Sequence, residues 1–195
     1  MANIDEFKAN LLGGGARANQ FSVTITEPSG ITIGLDVSRT SFLVRSASLP
    51  GMTLGEIAVP FRGRTIYLAG DRTFEDVWTT TFLNDTDFSI RNAMEKWSNG
   101  INDLVTGKGV SNPREYQTDL IVTQLDRSGK PDGGLKSYIF RNAWPTTISA
   151  IDLTSDTADA IEEFEVTWRY QRFEASKVTE GFTVDSPTGA AFGLT

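Results

Sequence analysis

Three acids, Asp71, Glu75 and Asp76, fall inside the stretch LAGDRTFEDVWTTTFLND (Leu68 to Asp85), and carboxylates so close together raise the chemistry of a hard cation. In an extended chain Glu75 and Asp76 point to opposite faces, so at most two of the three converge. The simpler reading gives Asp71 and Arg72 to a turn and leaves Asp76, on the aromatic side, to accept a hydrogen bond or an arginine, because a lone buried carboxylate is costly. NDTDFSIRNAMEKW opens like a calcium loop with Asp85, Asp87 and Ser89, but Ile90 stands at the sharp-turn glycine and Lys96 at the bidentate acid. GINDLVTGKGV offers Gly107 and Lys108 without phosphate-loop spacing, since Asn102 holds the first glycine position and Gly109 replaces the hydroxyl residue.

The chain has neither histidine nor cysteine. That removes the usual general base, the Ser-His-Asp arrangement, thiolate zinc sites and disulfides, and leaves only carboxylate, lysine or tyrosine chemistry. The composition therefore reads as a non-enzyme that holds no cofactor and no metal. The formal charge of −7 opposes stable nucleic-acid binding, which needs cations set against phosphates. No apolar run spans a bilayer, and MANIDEFKAN is acidic where a secretory signal is basic and then apolar. At 195 residues the chain suits one large domain or two small ones, able to bury roughly 70% of its unfolded surface.

The elements that must position these residues are mostly strands. NIDEFKANLL reads as a short helix, broken by Gly13, Gly14 and Gly15, and NQFSVTITE as a strand with Phe21, Val23 and Ile25 on one side. EPSG is a turn, with ITIGLDV as its expected hairpin partner, and TSFLVRSASLP reads as a third strand. GEIAVPF and RTIYLAG flank Arg62 and Gly63, so residues 49–70 read as a long projecting hairpin or loop, its prolines excluding a central place in a sheet.

In TFEDVWTTTFL, Phe74, Trp78 and Phe82 share a face with Asp76 and Thr80, while Glu75 and the remaining threonines take the other. Ile90, Met94, Trp97, Ile101 and Leu104 then predict a helix over about 86–105, capped by Asp85, Thr86 or Asp87. EYQTDLIVTQLDR and GLKSYIFRNAW read as strands joined through SGKPDGG, and TTISAIDL as another. IEEFEVTWRYQRFE places Phe164, Val166, Trp168 and Tyr170 opposite Glu163, Glu165, Thr167 and Arg169. From Ala175 onward the chain is small and polar, expected to order only against a partner.

The fold class is therefore mainly β (α+β), an antiparallel barrel or sandwich with one principal flanking helix and a core of Phe74, Trp78, Phe82, Met94, Trp97, Phe164 and Trp168. Charge is segregated along it. Residues 151–165 hold Asp152, Asp156, Asp159, Glu162, Glu163 and Glu165 with no base, whereas residues 45–72 hold Arg45, Arg62, Arg64 and Arg72 against Glu56 and Asp71. These are either two solvated patches or the halves of a head-to-tail contact between subunits, of the kind that generates rings or filaments.

ARANQFSVTI, SASLPGMTLGEIAVPFRGRTIYLAGDRTFEDVWTTTFLND and AWPTTISAIDLTSDTADAIEEFEVTWRYQ together resemble the tail tube family of T4-like contractile phages, over about residues 16–170. AGDRTFED followed by ND, and the later WPT, are the most specific parts. The resemblance implies a tail-tube β domain over 16–173, an N-terminal arm over 1–15 and an extension over 174–195. It further implies hexameric rings stacked into a hollow tube in the virion, assembled in the host cytoplasm, with strands of every subunit joining one barrel around a lumen. The implied partners are further copies of the chain, a tail sheath protein, a baseplate or tube initiator, a tail terminator, and a tape-measure protein and DNA passing transiently through the bore.

On this reading Met52, Leu54, Ile57, Val59, Arg62, Arg64 and Arg72 belong to the loop that reaches the next ring. Glu75, Glu163 and Glu165 become candidates for an acidic lumen face, a choice between two strand parities. Asp152, Asp156, Asp159 and Glu162 form a candidate acidic contact patch. The alternatives are the inner tube of a tailocin or type VI-like injection system, a tube initiator, or a carbohydrate-binding β module using its tryptophans.

Overall fold

A computed structural model describes residues 3–11, 15–73, 77–127, 134–156 and 158–176. Phe74, Glu75 and Asp76, the glycines Gly13 and Gly14, residues 128–133, expected to join two strands, and residues 177–195 lie outside the described residues.

Seven strands form one antiparallel sheet in the order β1-β6-β7-β8-β5-β2, with β9 paired to β7. They are β1 (Phe21–Ile25), β2 (Val44–Ala47), β5 (Val77–Leu83), β6 (Thr118–Leu125), β7 (Gly134–Ile148), β8 (Glu163–Arg169) and β9 (Arg172–Ala175). Alternation drives the arrangement: Trp78, Thr80 and Phe82 of β5 are buried, and so are Phe164, Val166 and Trp168 of β8, paired in register Trp78 to Trp168 and Phe82 to Phe164. Trp78 also stacks on Phe140 at 4.4 Å, linking β5 to β7 through the core.

Helix α3 (Ser89–Ile101) covers the apolar side of the sheet with Ile90, Ala93, Met94 and Trp97, and Trp97 meets Trp168 at 5.5 Å. None of the expected caps holds the N-cap position, which Phe88 takes at φ 51° without a side-chain bond; Asp85 instead braces the first turn, its carboxylate accepting from the Ser89 backbone N–H at 3.0 Å and hydroxyl at 2.8 Å. Leu104 is not part of the helix stripe. The chain leaves the helix at Asn102, and Leu104 is 93% exposed.

Three other expectations are corrected. ITIGLDV forms no hairpin with β1, which pairs with β6 instead. Ile31 and Ile33 are still buried, but the Glu27 carboxylate accepts the N–H groups of Ile33 (2.6 Å) and Gly34 (2.9 Å), taking the place of a ladder. TSFLVRSASLP is helix before it is strand: α2 (Val37–Leu43) is capped by Asp36, which accepts from the Arg39 N–H, and only then does β2 begin. GLKSYIFRNAW and the first three residues of TTISAIDL share one long strand, which ends at Ile148. β7 runs through Asn142, at φ 55°, and the buried Pro145, exchanging partners from β6 to β8 where its register shifts.

The short helices α1 (Ile4–Asn10) and α4 (Pro113–Tyr116) complete the helical content of the described residues. Strands β3 (Thr53–Phe61) and β4 (Arg64–Thr73) form a separate two-stranded sheet that pairs with no other strand among the described residues.

Candidate assembly interface

The β3–β4 hairpin turns through Arg62 and Gly63, both at positive φ (46° and 81°), the geometry whose twist matches two right-twisted strands. Register then sets the faces. Ile57 lies opposite Leu68, Val59 opposite Ile66 and Phe61 opposite Arg64, so one face carries five large apolar side chains; Glu56, Ala58, Pro60, Thr65, Tyr67 and Ala69 take the other. Ile57, Phe61 and Leu68 are each more than half exposed (52%, 56% and 54%), as are Leu54 and, to half, Met52.

A lone hairpin with a bare apolar face is marginal in water, and such a continuous patch marks a surface that another molecule covers. Arginines line it: Arg62 lies over the Phe61 ring at 5.5 Å, and Arg72 reaches the Met52 sulfur at 3.1 Å. All seven residues assigned to this loop from sequence thus lie on or beside the hairpin.

Glu163 and Glu165 lie on the outward face of β8, away from the core. Their neighbours across the register are Leu83 and Thr81 of β5, and Ser46 of β2 hydrogen-bonds Thr81 at 2.9 Å. Arg45 forms an ion pair with Glu163, and Arg169 stands on the same face. The outward face continues onto β6, β7 and β9, where Arg141 bridges Asp119 (2.5 Å) and Glu174 (2.7 Å). The strand wall is therefore a mixture of hydroxyls and matched charges. The Arg141 guanidinium holds the Glu174 carboxyl below the usual carboxylate range. Sequence reasoning missed this network because Asp119, Arg141 and Glu174 are far apart in the chain and meet only through strand pairing.

Asp152, Asp156 and Asp159 are exposed on the connection before β8. Glu162 is bonded to Asn84 and lines one cavity with Asp152: its carboxylate accepts from the Asn84 amide at 3.0 Å and its carbonyl from the Asn84 N–H at 2.8 Å. The remaining core assignments meet in one cluster, with Trp78, Phe82, Met94, Trp97, Phe164 and Trp168 each no more than 2% exposed. Three of the four tryptophans are thereby enclosed, and Trp144 packs edge-on to Tyr116, so no exposed aromatic platform for a sugar is formed by them. Among the described residues no three acids gather to hold a metal ion, and no helix is long and apolar enough to cross a membrane.

Comparison with known proteins agrees with this geometry. The chain is 31% identical over 172 residues to the tail tube protein of Serratia phage KSP90, covering 87% of this chain and 95% of that one. It is 33% identical over 155 residues to tail tube protein gp19 of Enterobacteria phage T4, covering 78% and 86%. Among solved structures the fold resembles the sheath/tube terminator of the extracellular contractile injection system PVC, with a TM-score of 0.59 at 13% identity over 83% of this chain and 96% of that one. It also resembles a chain of the PVC sheath-tube complex, with a TM-score of 0.54 at 16% identity over 86% and 95%. A family model described as phage tail tube protein matches residues 16–176, which take in the hairpin, the strand wall and the helix that backs it, so the chain belongs to the phage tail tube proteins and is a structural subunit of a virion tail.

Proposed function

We propose that six copies of this chain form a ring, that rings stack into a hollow tube, and that the β3–β4 hairpin is the element by which one ring grips the next. The observation that carries this reading is the apolar hairpin face of Ile57, Val59, Phe61, Ile66 and Leu68, exposed in the single chain. Sharing the sheet among subunits also covers its edge strands β1 and β2, which otherwise present unpaired N–H and C=O groups.

The outward face of β8 and β5, with Glu163, Glu165 and the threonines, then lines the bore. The arginines there are already engaged, Arg45 by Glu163 and Arg141 by Asp119 and Glu174, so DNA phosphates meet few cations free to hold them. Screening confines such effects to about 8 Å at physiological salt, which suits a wall that lets a polyanion slide without driving it. The tube would conduct the viral genome, with a sheath outside it and a baseplate and terminator at its ends, the assemblies in which its structural neighbours stand. Asp152, Asp156 and Asp159 are offered as a contact patch for a neighbouring subunit.

The test is negative-stain electron microscopy of the purified protein at rising concentration, alone and with a preformed baseplate. Rings and hollow tubes are expected; single particles under both conditions would refute the reading.

A further inference from the structure

Helix α1 carries Ile4 and Phe7 on one stripe, continued by Leu11 just beyond its end, at 69%, 65% and 44% exposure, and none of its residues is buried. It is seven residues long, capped by the Asn3 side chain, which accepts from the Asp5 N–H at 3.1 Å. Helices below about 12–15 residues are marginal in water without a surface to pack on. No surface of the described chain covers this one.

Apolar side chains are also exposed at Phe42, Leu104, Val105, Leu153 and Ile161, but the α1 stripe and the hairpin face are set beside charges of opposite sign. Asp5 and Glu6 occupy the first turn of α1, while Arg62 and Arg64 occupy the hairpin tip beside Phe61. We propose that the occupant of the hairpin's apolar face is helix α1 of a second copy of this chain, with Ile4, Phe7 and Leu11 against Val59, Phe61 and Ile66, and with the acidic first turn of α1 at the arginine-bearing hairpin tip and Lys8 at the far end.

A contact between two different surfaces of identical chains is heterologous, so each copy that docks leaves a new α1 and a new hairpin unfilled. It propagates along an axis, as ring stacking requires. Folding and docking of α1 are one event, and its ordering cost falls on assembly and not on the free subunit. The inference rests on the hairpin reading above and names the segment that completes it.

The experiment places the photo-crosslinker p-benzoylphenylalanine at Phe61 and, separately, at Tyr67 on the opposite hairpin face. Tubes are assembled from full-length chains mixed equally with isotopically heavy chains, irradiated and digested. Mixed light-heavy crosslinks from position 61 to residues 3–11 are expected, with few from position 67. Crosslinks from position 61 to another chain outside residues 3–11, or to residues 3–11 of the same chain only, would overturn the α1 assignment while leaving the hairpin reading intact. Tubes with no crosslink between chains from either position would overturn both. If the probe at position 61 blocks assembly, the same probe at Phe7 interrogates the contact from the other side, and crosslinks to residues 57–68 of another chain are then the expected result; their absence in tubes overturns the proposal.

Discussion

Trp168 donates its indole N–H to the hydroxyl of Thr80 at 2.8 Å, diagonally between β8 and β5, with both side chains completely enclosed. A hydroxyl in the middle of an aromatic face looks out of place in sequence, and this bond is its reason. Thr80→Val should leave the indole N–H buried and unpaired, at a cost of about 1–3 kcal/mol. Urea unfolding of the isolated subunit would measure it, and Thr80→Ser should retain most of the stability.

Arg141 ties β6, β7 and β9 together through Asp119 and Glu174, and its own pKa is raised first by its bond to Glu174. Because Glu174 is held below the usual carboxylate range, its contribution is full above the unfolded value of about 4.3 and is lost as pH falls through the lower folded value. Glu174→Gln should therefore have a lower urea midpoint than the parent at pH 7, and the two midpoints should converge in acid.

Asp85 starts α3. Burial pushes its carboxyl up, but the hydroxyl and amide of Ser89 and the nearby Arg39 outweigh that and hold it below its ordinary value. Asp85→Ala should cost about 1 kcal/mol, since it leaves the first N–H of the helix without its acceptor as loss of a cap does, measured by thermal unfolding at neutral pH. The difference should shrink as acid protonates the parent's carboxylate.

Ile57 and Leu68 face one another across the hairpin and touch solvent, so Ile57→Asp with Leu68→Asp should change the unfolding midpoint of the free subunit little. Tube formation should fail. Sedimentation and electron microscopy after assembly check this, and long tubes from the double variant would contradict the proposed role of the hairpin.

Glu163→Lys with Glu165→Lys would free Arg45 from its ion pair and turn the strand wall basic. Tubes should still form, since both side chains lie away from the core. Genome ejection from intact particles should slow, with the delay relieved by added salt; unchanged kinetics would argue against placing this face in the bore.

The sequence determined what local physics controls. Alternation over β5 and β8 fixed which side chains face the core, because a strand's side chains have a period of two and a slip of one residue would expose Trp78 or Trp168. The spacing of Ile90, Met94 and Trp97 determined the helix face, and the prolines and Arg62-Gly63 pointed to a projecting hairpin or loop away from the sheet centre, which the structure shows as a hairpin. The absence of histidine and cysteine narrowed the chemistry before any fold was drawn.

What only the tertiary structure decided are the partners. ITIGLDV looks like a strand, yet the Glu27 carboxylate takes its N–H groups and β6 takes β1, a choice between two acceptors that no local pattern encodes. β7 passes through Asn142 and Pro145 as one strand because β6 and β8 hold its two halves, although its alternation breaks between them. Arg45 with Glu163, and Arg141 with Asp119 and Glu174, turned apparently free charges into matched ones. Strand pairing brings together residues remote in the chain, and a sequence read along its length records each charge but not the one it meets.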